Sequence, residues 1–118
     1  MTKKRAERLT GYEIRRLPEN DWKGRLAYGA FSGEELIVQC SHFIEEAALQ
    51  TLVREVYELH SREALERHGW RCSRCRSGRR LQIHHRRYRS HGGTHRIENL
   101  EPVCWDCHKL IHKMEQSK

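Results

Sequence analysis

Apolar residues recur at helical spacing in the segment between Ser41 and Arg67. Charged side chains mostly lie off this apolar stripe, which is typical of a helix that packs against a core. Ser41 is a residue type that caps helix N-termini, and Gly69 tolerates the left-handed backbone that ends a helix. We therefore predict a packing helix over residues 41–69, and leave open a break near His60–Ser61. The stripe consists of Ile44, Ala47, Ala48, Leu52, Val56 and Leu59.

The first forty residues show only short strand-like runs, at Gly11–Leu17 and Leu36–Gln39, separated by proline and glycines. We predict a short, β-rich N-terminal arm over residues 1–40. It contains no chemical motif, and its role in setting specificity is only a hypothesis. Cys40 has no partner at CxxC spacing, so we interpret it as a small buried hydrophobe.

The pattern changes after residue 70. Leu81 and Ile83 alternate with polar residues, as in a half-buried strand, and this strand ends at two histidines. Gly92-Gly93 predicts a loop, and residues 97–103 predict a returning strand with Pro102 near its edge or end.

A final helix is predicted from about Trp105. At 100° per residue one face of this helix would carry a cysteine and pack inward, and it consists of Cys107, Leu110, Ile111 and Met114. His108 and His112 lie four residues apart and therefore stack on a neighbouring face.

Composition limits what the core can contribute. The chain has 118 residues, 36% hydrophobic and 33% charged, so one domain with a modest core would benefit from a metal or disulfides. There is neither a signal-peptide pattern nor a stretch of membrane-spanning length. We therefore expect a cytoplasmic location without a membrane partner, where thiols stay reduced and paired cysteines favour metal.

Four of the five cysteines form two CxxC pairs, Cys72–Cys75 and Cys104–Cys107. Two-residue spacing lets both sulfurs of a pair reach one ion, and two pairs complete a tetrahedron of thiolates around zinc. We predict a structural Zn²⁺ here. The gap between the pairs is longer than that of a plain zinc ribbon, so the segment between them needs its own explanation.

The basic charge is concentrated in one region. The net charge is +7, and the span from Arg67 to Ile97 holds ten arginines and no acidic residue. Such a surface suits a phosphate backbone, although a solvated basic face explains the charge equally well.

Strand, glycine loop, strand and helix, with His84-His85, Asn99 and His108 in order between the CxxC pairs, resemble the HNH endonucleases of the ββα-metal fold. The resemblance covers residues 70–112 and is closest to the variant with two CxxC zinc knuckles. It implies an α+β chain in which an HNH nuclease domain, residues 70–116, follows a long helix and the N-terminal arm.

The resemblance also implies roles. His85 resembles the general base, and Asn99 resembles the residue that braces the loop and orients that base. His84, His108 and His112 match ligands of a catalytic divalent ion, which could be Mg²⁺, Mn²⁺, Ni²⁺ or Zn²⁺. The implied reaction is hydrolysis of a phosphodiester in nucleic acid, with DNA favoured, to 5′-phosphate and 3′-hydroxyl products.

Several alternatives stay open at this point. Alternation puts the two adjacent histidines on opposite faces of the strand, and only the resemblance distinguishes base from ligand. His112 could instead be structural or contact phosphate. Arg86, Arg87 and Arg89 are candidate nucleic-acid contacts or simply flexible loop charges. A non-catalytic zinc module that binds nucleic acid would explain the cysteines and arginines but not the histidine constellation.

Overall fold

The computed structural model describes residues 1–116 and divides the chain into two compact units. The first unit comprises Met1–Glu58 together with Thr94–Arg96, and the second comprises Leu59–Gly93 together with the residues from Ile97 onward. The chain as a whole is α+β, as predicted. None of the helices in the described residues is both long enough and apolar enough to cross a membrane.

The first unit has a helix before its sheet. Helix α1 (Lys3–Thr10) is followed by an antiparallel sheet in the order β1 (Glu13–Arg16), β2 (Leu26–Ser32) and β3 (Glu35–His42). The sheet and α1 pack with the start of helix α2 (Glu45–Arg67). The core comprises Ala6, Leu9, Ile14, Tyr28, Ala48, Leu49, Leu52 and Val53.

Two details of this region differ from the sequence prediction. Ser41 does not cap a helix, because β3 continues through it and pairs it with Ala27. Helix α2 begins at Glu45 and runs to Arg67 without a break at His60. It ends as expected, with Gly69 at φ 63° donating its backbone N–H to the Glu66 carbonyl.

The second unit contains a small ββα arrangement. Strands β4 (Leu81–His85) and β5 (Leu100–Cys104) form an antiparallel pair, and helix α3 (Trp105–Gln116) follows β5 directly. Strand β5 is buried along its whole length, including its one charged residue, Glu101. The core consists of Cys72, Val103, Cys104 and Ile111, with Leu81 and Cys107 packed against it.

Part of the predicted inward face of α3 is exposed. Ile111 is buried, whereas Leu110 is 59% exposed and Met114 is 66% exposed. A two-stranded sheet is too narrow to cover a whole helix face. The prediction that all four residues of this face pack inward was therefore wrong for two of them.

Candidate metal centres

The four paired cysteines converge at one point. Their sulfur atoms all lie within 4.8 Å of one another, and the Sγ atoms of Cys75 and Cys104 are 3.5 Å apart. A disulfide bond would require about 2.0 Å. A tetrahedral zinc with Zn–S bonds of about 2.3 Å places its sulfurs about 3.8 Å apart. The cluster, which consists of Cys72, Cys75, Cys104 and Cys107, therefore has the dimensions of a metal site.

A tight turn brings the first pair together. Arg76 donates its backbone N–H to the Cys72 carbonyl at 3.0 Å, and Cys72 donates to the Ser77 carbonyl at 2.7 Å. Arg76 has a φ of 68°, a left-handed conformation that lets the chain reverse beside the sulfurs. The second pair joins the end of β5 to the first turn of α3, where Cys107 donates its N–H to the Cys104 sulfur at 3.4 Å.

Neighbouring groups shift the pKa of Cys72 and that of Cys107 in opposite directions. Burial acts to raise the pKa of Cys72, but backbone N–H groups of Cys75, Cys104 and Arg74 outweigh it and lower the pKa to about 6. Hydrogen bonding with Cys104, followed by burial, raises the pKa of Cys107 to about 12. The thiolate form of Cys72 is thus favoured, whereas the thiolate form of Cys107 beside it is disfavoured. A cation is what this cluster needs to ionise fully.

A second cluster is formed by three histidines. His84 lies on β4 with 4% of its surface exposed, and its ring centroid is 5.7 Å from that of His108 and 6.3 Å from that of His112. The two α3 histidines lie one helical turn apart, and their Nε2 atoms are 3.0 Å from each other. The structure therefore brings together the three residues predicted as ligands of the catalytic ion.

Two donors of this second cluster are spaced like neighbouring ligands of a divalent transition ion. Metal–nitrogen bonds of about 2.1 Å place neighbouring ligand nitrogens about 3.0–3.4 Å apart, which matches the separation of the His108 and His112 Nε2 atoms. Burial, followed by the charge of His112, lowers the pKa of His108, so its imidazole is neutral at physiological pH. Neutral imidazoles suit zinc, nickel and similar ions better than Mg²⁺.

His85 lies at the end of β4 and pairs with Leu100, whereas His84 pairs with Glu101. Strand alternation therefore directs the two adjacent imidazoles to opposite faces. Burial, then the charges of Arg89 and His84, lower the pKa of His85. This shift favours the neutral imidazole, the form that a general base requires. Its role stays a prediction.

Asn99 binds the backbone at the start of the glycine loop. Its Oδ1 accepts the Arg87 N–H at 2.7 Å, and its Nδ2 donates to the Arg87 carbonyl at 3.1 Å. The backbone carbonyl of Asn99 accepts the Arg86 N–H at 2.8 Å. Asn99 thus binds the two residues that follow His85, Arg86 through its backbone and Arg87 through its side chain. Its bracing role stays a prediction.

The three predicted arginine contacts are in different environments. The Arg87 Nε donates to the His91 carbonyl at 2.6 Å, so this side chain already supports the loop. Arg86 lies 3.8 Å from a Glu101 carboxylate oxygen, and Arg89 is exposed. Nucleic-acid contact stays a prediction for all three.

Sequence reasoning took Tyr88 only as a plausible phosphate contact and gave Glu101 no role, so it missed the contacts that these two residues make. Tyr88 places its hydroxyl 3.4 Å from the Nδ1 of His112. Glu101 is 6% exposed and accepts hydrogen bonds from Ser73 at 2.9 Å and Arg74 at 3.0 Å. Only Glu101 had a signal in the sequence, because it is a carboxylate within an otherwise apolar strand.

Comparison with known families identifies this segment. Residues 72–114, about a third of the chain, match the family model described as HNH endonuclease. Residues 72–114 are an HNH domain. No curated protein and no solved structure matches the chain.

The matched segment begins in the sulfur cluster and ends just after the histidine cluster. Its first residue is the first cysteine of the sulfur cluster, and its match extends two residues past His112. The four cysteines correspond to the CxxC-knuckle variant of the family. The HNH family consists generally of nucleases, so a function connected with nucleic acid follows for this chain.

Proposed function

We propose that the chain is a divalent-metal-dependent endonuclease that hydrolyses phosphodiester bonds in nucleic acid, with DNA the favoured substrate. The observation that carries the proposal is the convergence of His84, His108 and His112 inside the HNH domain. A module that only binds nucleic acid does not account for three imidazoles whose ring centroids lie within 6.3 Å of one another. We also propose a cytoplasmic location.

The roles follow from the geometry and the family pattern together. His84 from β4 and the two α3 histidines would hold the catalytic ion, which when bound polarises the phosphate and offsets charge on the departing oxygen. His85, neutral for the reason given above, would take the proton from the attacking water. Asn99 would keep the backbone after His85 in place through its contacts to Arg87.

A structural zinc in the sulfur cluster would give the nuclease site its scaffold. Cys104 ends β5, and Cys107 lies on α3 next to His108. A metal held between them and the first CxxC pair would fix the helix that carries two of the three histidines. Zinc binding would then be part of the folding free energy of the HNH domain.

Supercoiled plasmid incubated with purified protein and Mg²⁺, Mn²⁺ or Ni²⁺ tests the proposal. We expect nicking or linearisation by the wild type and at least a 100-fold loss in His85→Ala, the scale of general-base catalysis. His42→Ala is the matched control, because His42 hydrogen-bonds to Thr51 in the first unit. This variant should cleave like the wild type. Equal cleavage by wild type and His85→Ala would contradict the role of the base.

The alternative function is a zinc module that binds nucleic acid without cutting it. The run of arginines between Arg67 and Ile97 favours this candidate as well. It predicts binding to DNA or RNA that weakens with salt, together with no cleavage under any divalent ion. The plasmid experiment, repeated with an RNA substrate, separates the two.

A further inference from the structure

Three histidines of the HNH domain contact the ring of Tyr88. Its ring is nearly parallel to that of His112, with an interplanar angle of 15° and centroids 5.8 Å apart. His91 also stacks on Tyr88, at 30° and 6.2 Å, and His84 meets the ring edge-on at 5.9 Å.

The backbone of Tyr88 is held as firmly as its ring. Its carbonyl accepts two hydrogen bonds, from the N–H of His91 at 2.9 Å and from that of Gly93 at 2.8 Å. The preceding residue, Arg87, is tied to Asn99 on both its N–H and its carbonyl. These backbone hydrogen bonds therefore fix the position from which the Tyr88 side chain reaches the histidines.

The two α3 histidines determine which of their nitrogens would reach the ion. Their Nε2 atoms lie 3.0 Å apart and face one another. An ion held there needs both Nε2 lone pairs, so the proton of the neutral His112 imidazole must be on Nδ1. That Nδ1–H requires an acceptor, and the Tyr88 oxygen lies 3.4 Å away.

We propose that Tyr88 is a positioning residue for His112, whose phenolic oxygen accepts the His112 Nδ1–H and so leaves Nε2 directed at the catalytic ion. The inference rests on the proposed function, because it assigns a partner to one ligand of the same site. Partners of metal-bound histidines commonly fix ring orientation and tautomer, and their loss weakens metal binding. The contact at 3.4 Å is at the long end for a hydrogen bond and is of the kind that tightens when a site is assembled.

Tyr88→Phe removes the oxygen and keeps the stacked ring. Ni²⁺ titrated by calorimetry into the zinc-loaded chain should bind about 10- to 100-fold more weakly to this variant than to the wild type. Tyr57→Phe is the matched control, since its ring also contacts a histidine, His95, but in the first unit. It should leave Ni²⁺ affinity unchanged.

A second measurement does not depend on any variant. Long-range ¹H–¹⁵N spectra of the zinc-loaded chain without added Ni²⁺ report the tautomer of each histidine. We expect His112 to carry its proton on Nδ1 in the wild type and to shift toward Nε2–H in Tyr88→Phe. A wild-type His112 protonated mainly on Nε2 would overturn the inference, even if the variant failed to fold.

The other outcomes are separable. Equal Ni²⁺ affinity in wild type and Tyr88→Phe, with cleavage retained, overturns the inference alone. Slower cleavage by Tyr88→Phe at unchanged Ni²⁺ affinity also overturns it, because the hydroxyl would then act on substrate. If the wild type neither binds Ni²⁺ outside the sulfur cluster nor cleaves, the proposed function fails and takes the inference with it.

Discussion

Both ends of the Asn99 side-chain amide bind the backbone of Arg87, one as acceptor at 2.7 Å and the other as donor at 3.1 Å. Asn99 thereby joins the residue before β5 to the residue two positions after the proposed base. The relationship explains why an asparagine suits this position: its side-chain amide offers an acceptor and a donor on two neighbouring atoms.

Asn99→Ala should therefore lower the free energy of unfolding by about 1–2 kcal/mol, since two backbone groups lose their partner. Cleavage should fall as well, because the segment after His85 loses its brace. Denaturant unfolding and plasmid cleavage measure the two effects. Asn20→Ala is the control, because Asn20 also makes two hydrogen bonds but in an exposed turn of the first unit. If the Asn99 variant matched this control in both assays, the bracing role would be wrong.

Gly93→Ala should destabilise the chain through a steric conflict. A Cβ at this position would overlap the Arg87 carbonyl, which is backbone and cannot rotate away. Overpacking of this kind costs about 1–3 kcal/mol. Thermal unfolding should show a clear loss for Gly93→Ala but little change for Gly78→Ala, whose added Cβ would lie an ordinary 3.7 Å from the Trp70 carbonyl. Similar melting temperatures for the two variants would show that the loop can move.

Cys75→Ser should abolish high-affinity zinc binding, because it removes one of four sulfurs within 4.8 Å. Elemental analysis should find about one zinc fewer per chain in Cys75→Ser than in the wild type, and a strong chelator should unfold the HNH domain, since metal binding supplies folding free energy. Cys40→Ser is the control: the Cys40 thiol donates to the Ala48 carbonyl at 3.2 Å, and burial followed by the charge of Glu55 raises its pKa to about 11. Loss of zinc from the control would place the ion elsewhere.

Glu101→Gln should lower stability at pH 7 by about 1–3 kcal/mol, and this difference should shrink in acid. Burial acts to raise the pKa of Glu101, but hydrogen bonds from Arg74 and Ser73, with the charges of Arg74 and Arg86, lower it below 4.5. A depressed carboxyl pKa stabilises the fold above the unfolded value, and that stability is lost as the pH falls through the folded value.

The comparison for Glu101 should use the difference between the two proteins, because thiolate protonation in acid releases zinc from both. Chemical unfolding at pH 7 and at pH values below 4.5 gives this difference. A gap between wild type and Glu101→Gln that stayed constant over this range would argue against the carboxylate as its source.

The sequence predicted the HNH domain better than the first unit, for physical reasons. Cysteine pairs and histidines are rare residues whose spacing is fixed by metal geometry, so Cys72 and His108 carry much information. Strand β2 was missed because residues Ala27–Ala30 are all buried, and a strand covered on both faces loses its alternation. Helix α1 was missed because it is eight residues long and mostly charged.

Tertiary contacts decided the remaining details. Ser41 is a good helix cap by type, but pairing with Ala27 keeps it in a strand. The position of Tyr88 against His112 depends on how the glycine loop folds back, which no local pattern encodes. The domain boundaries, the roles of the site residues and the cytoplasmic location stay predictions.

Thr94–Arg96 belongs to the first unit although the chain on both sides of it belongs to the second. His95 donates its N–H to the Leu9 carbonyl at 2.8 Å, so this tripeptide is fastened to the end of α1. Neither unit is therefore a single continuous stretch of the sequence. If residues from 59 onward were transferred to another protein, Thr94–Arg96 would lose its hydrogen bond to α1. A transfer that also supplies a helix equivalent to α1 is the sounder design.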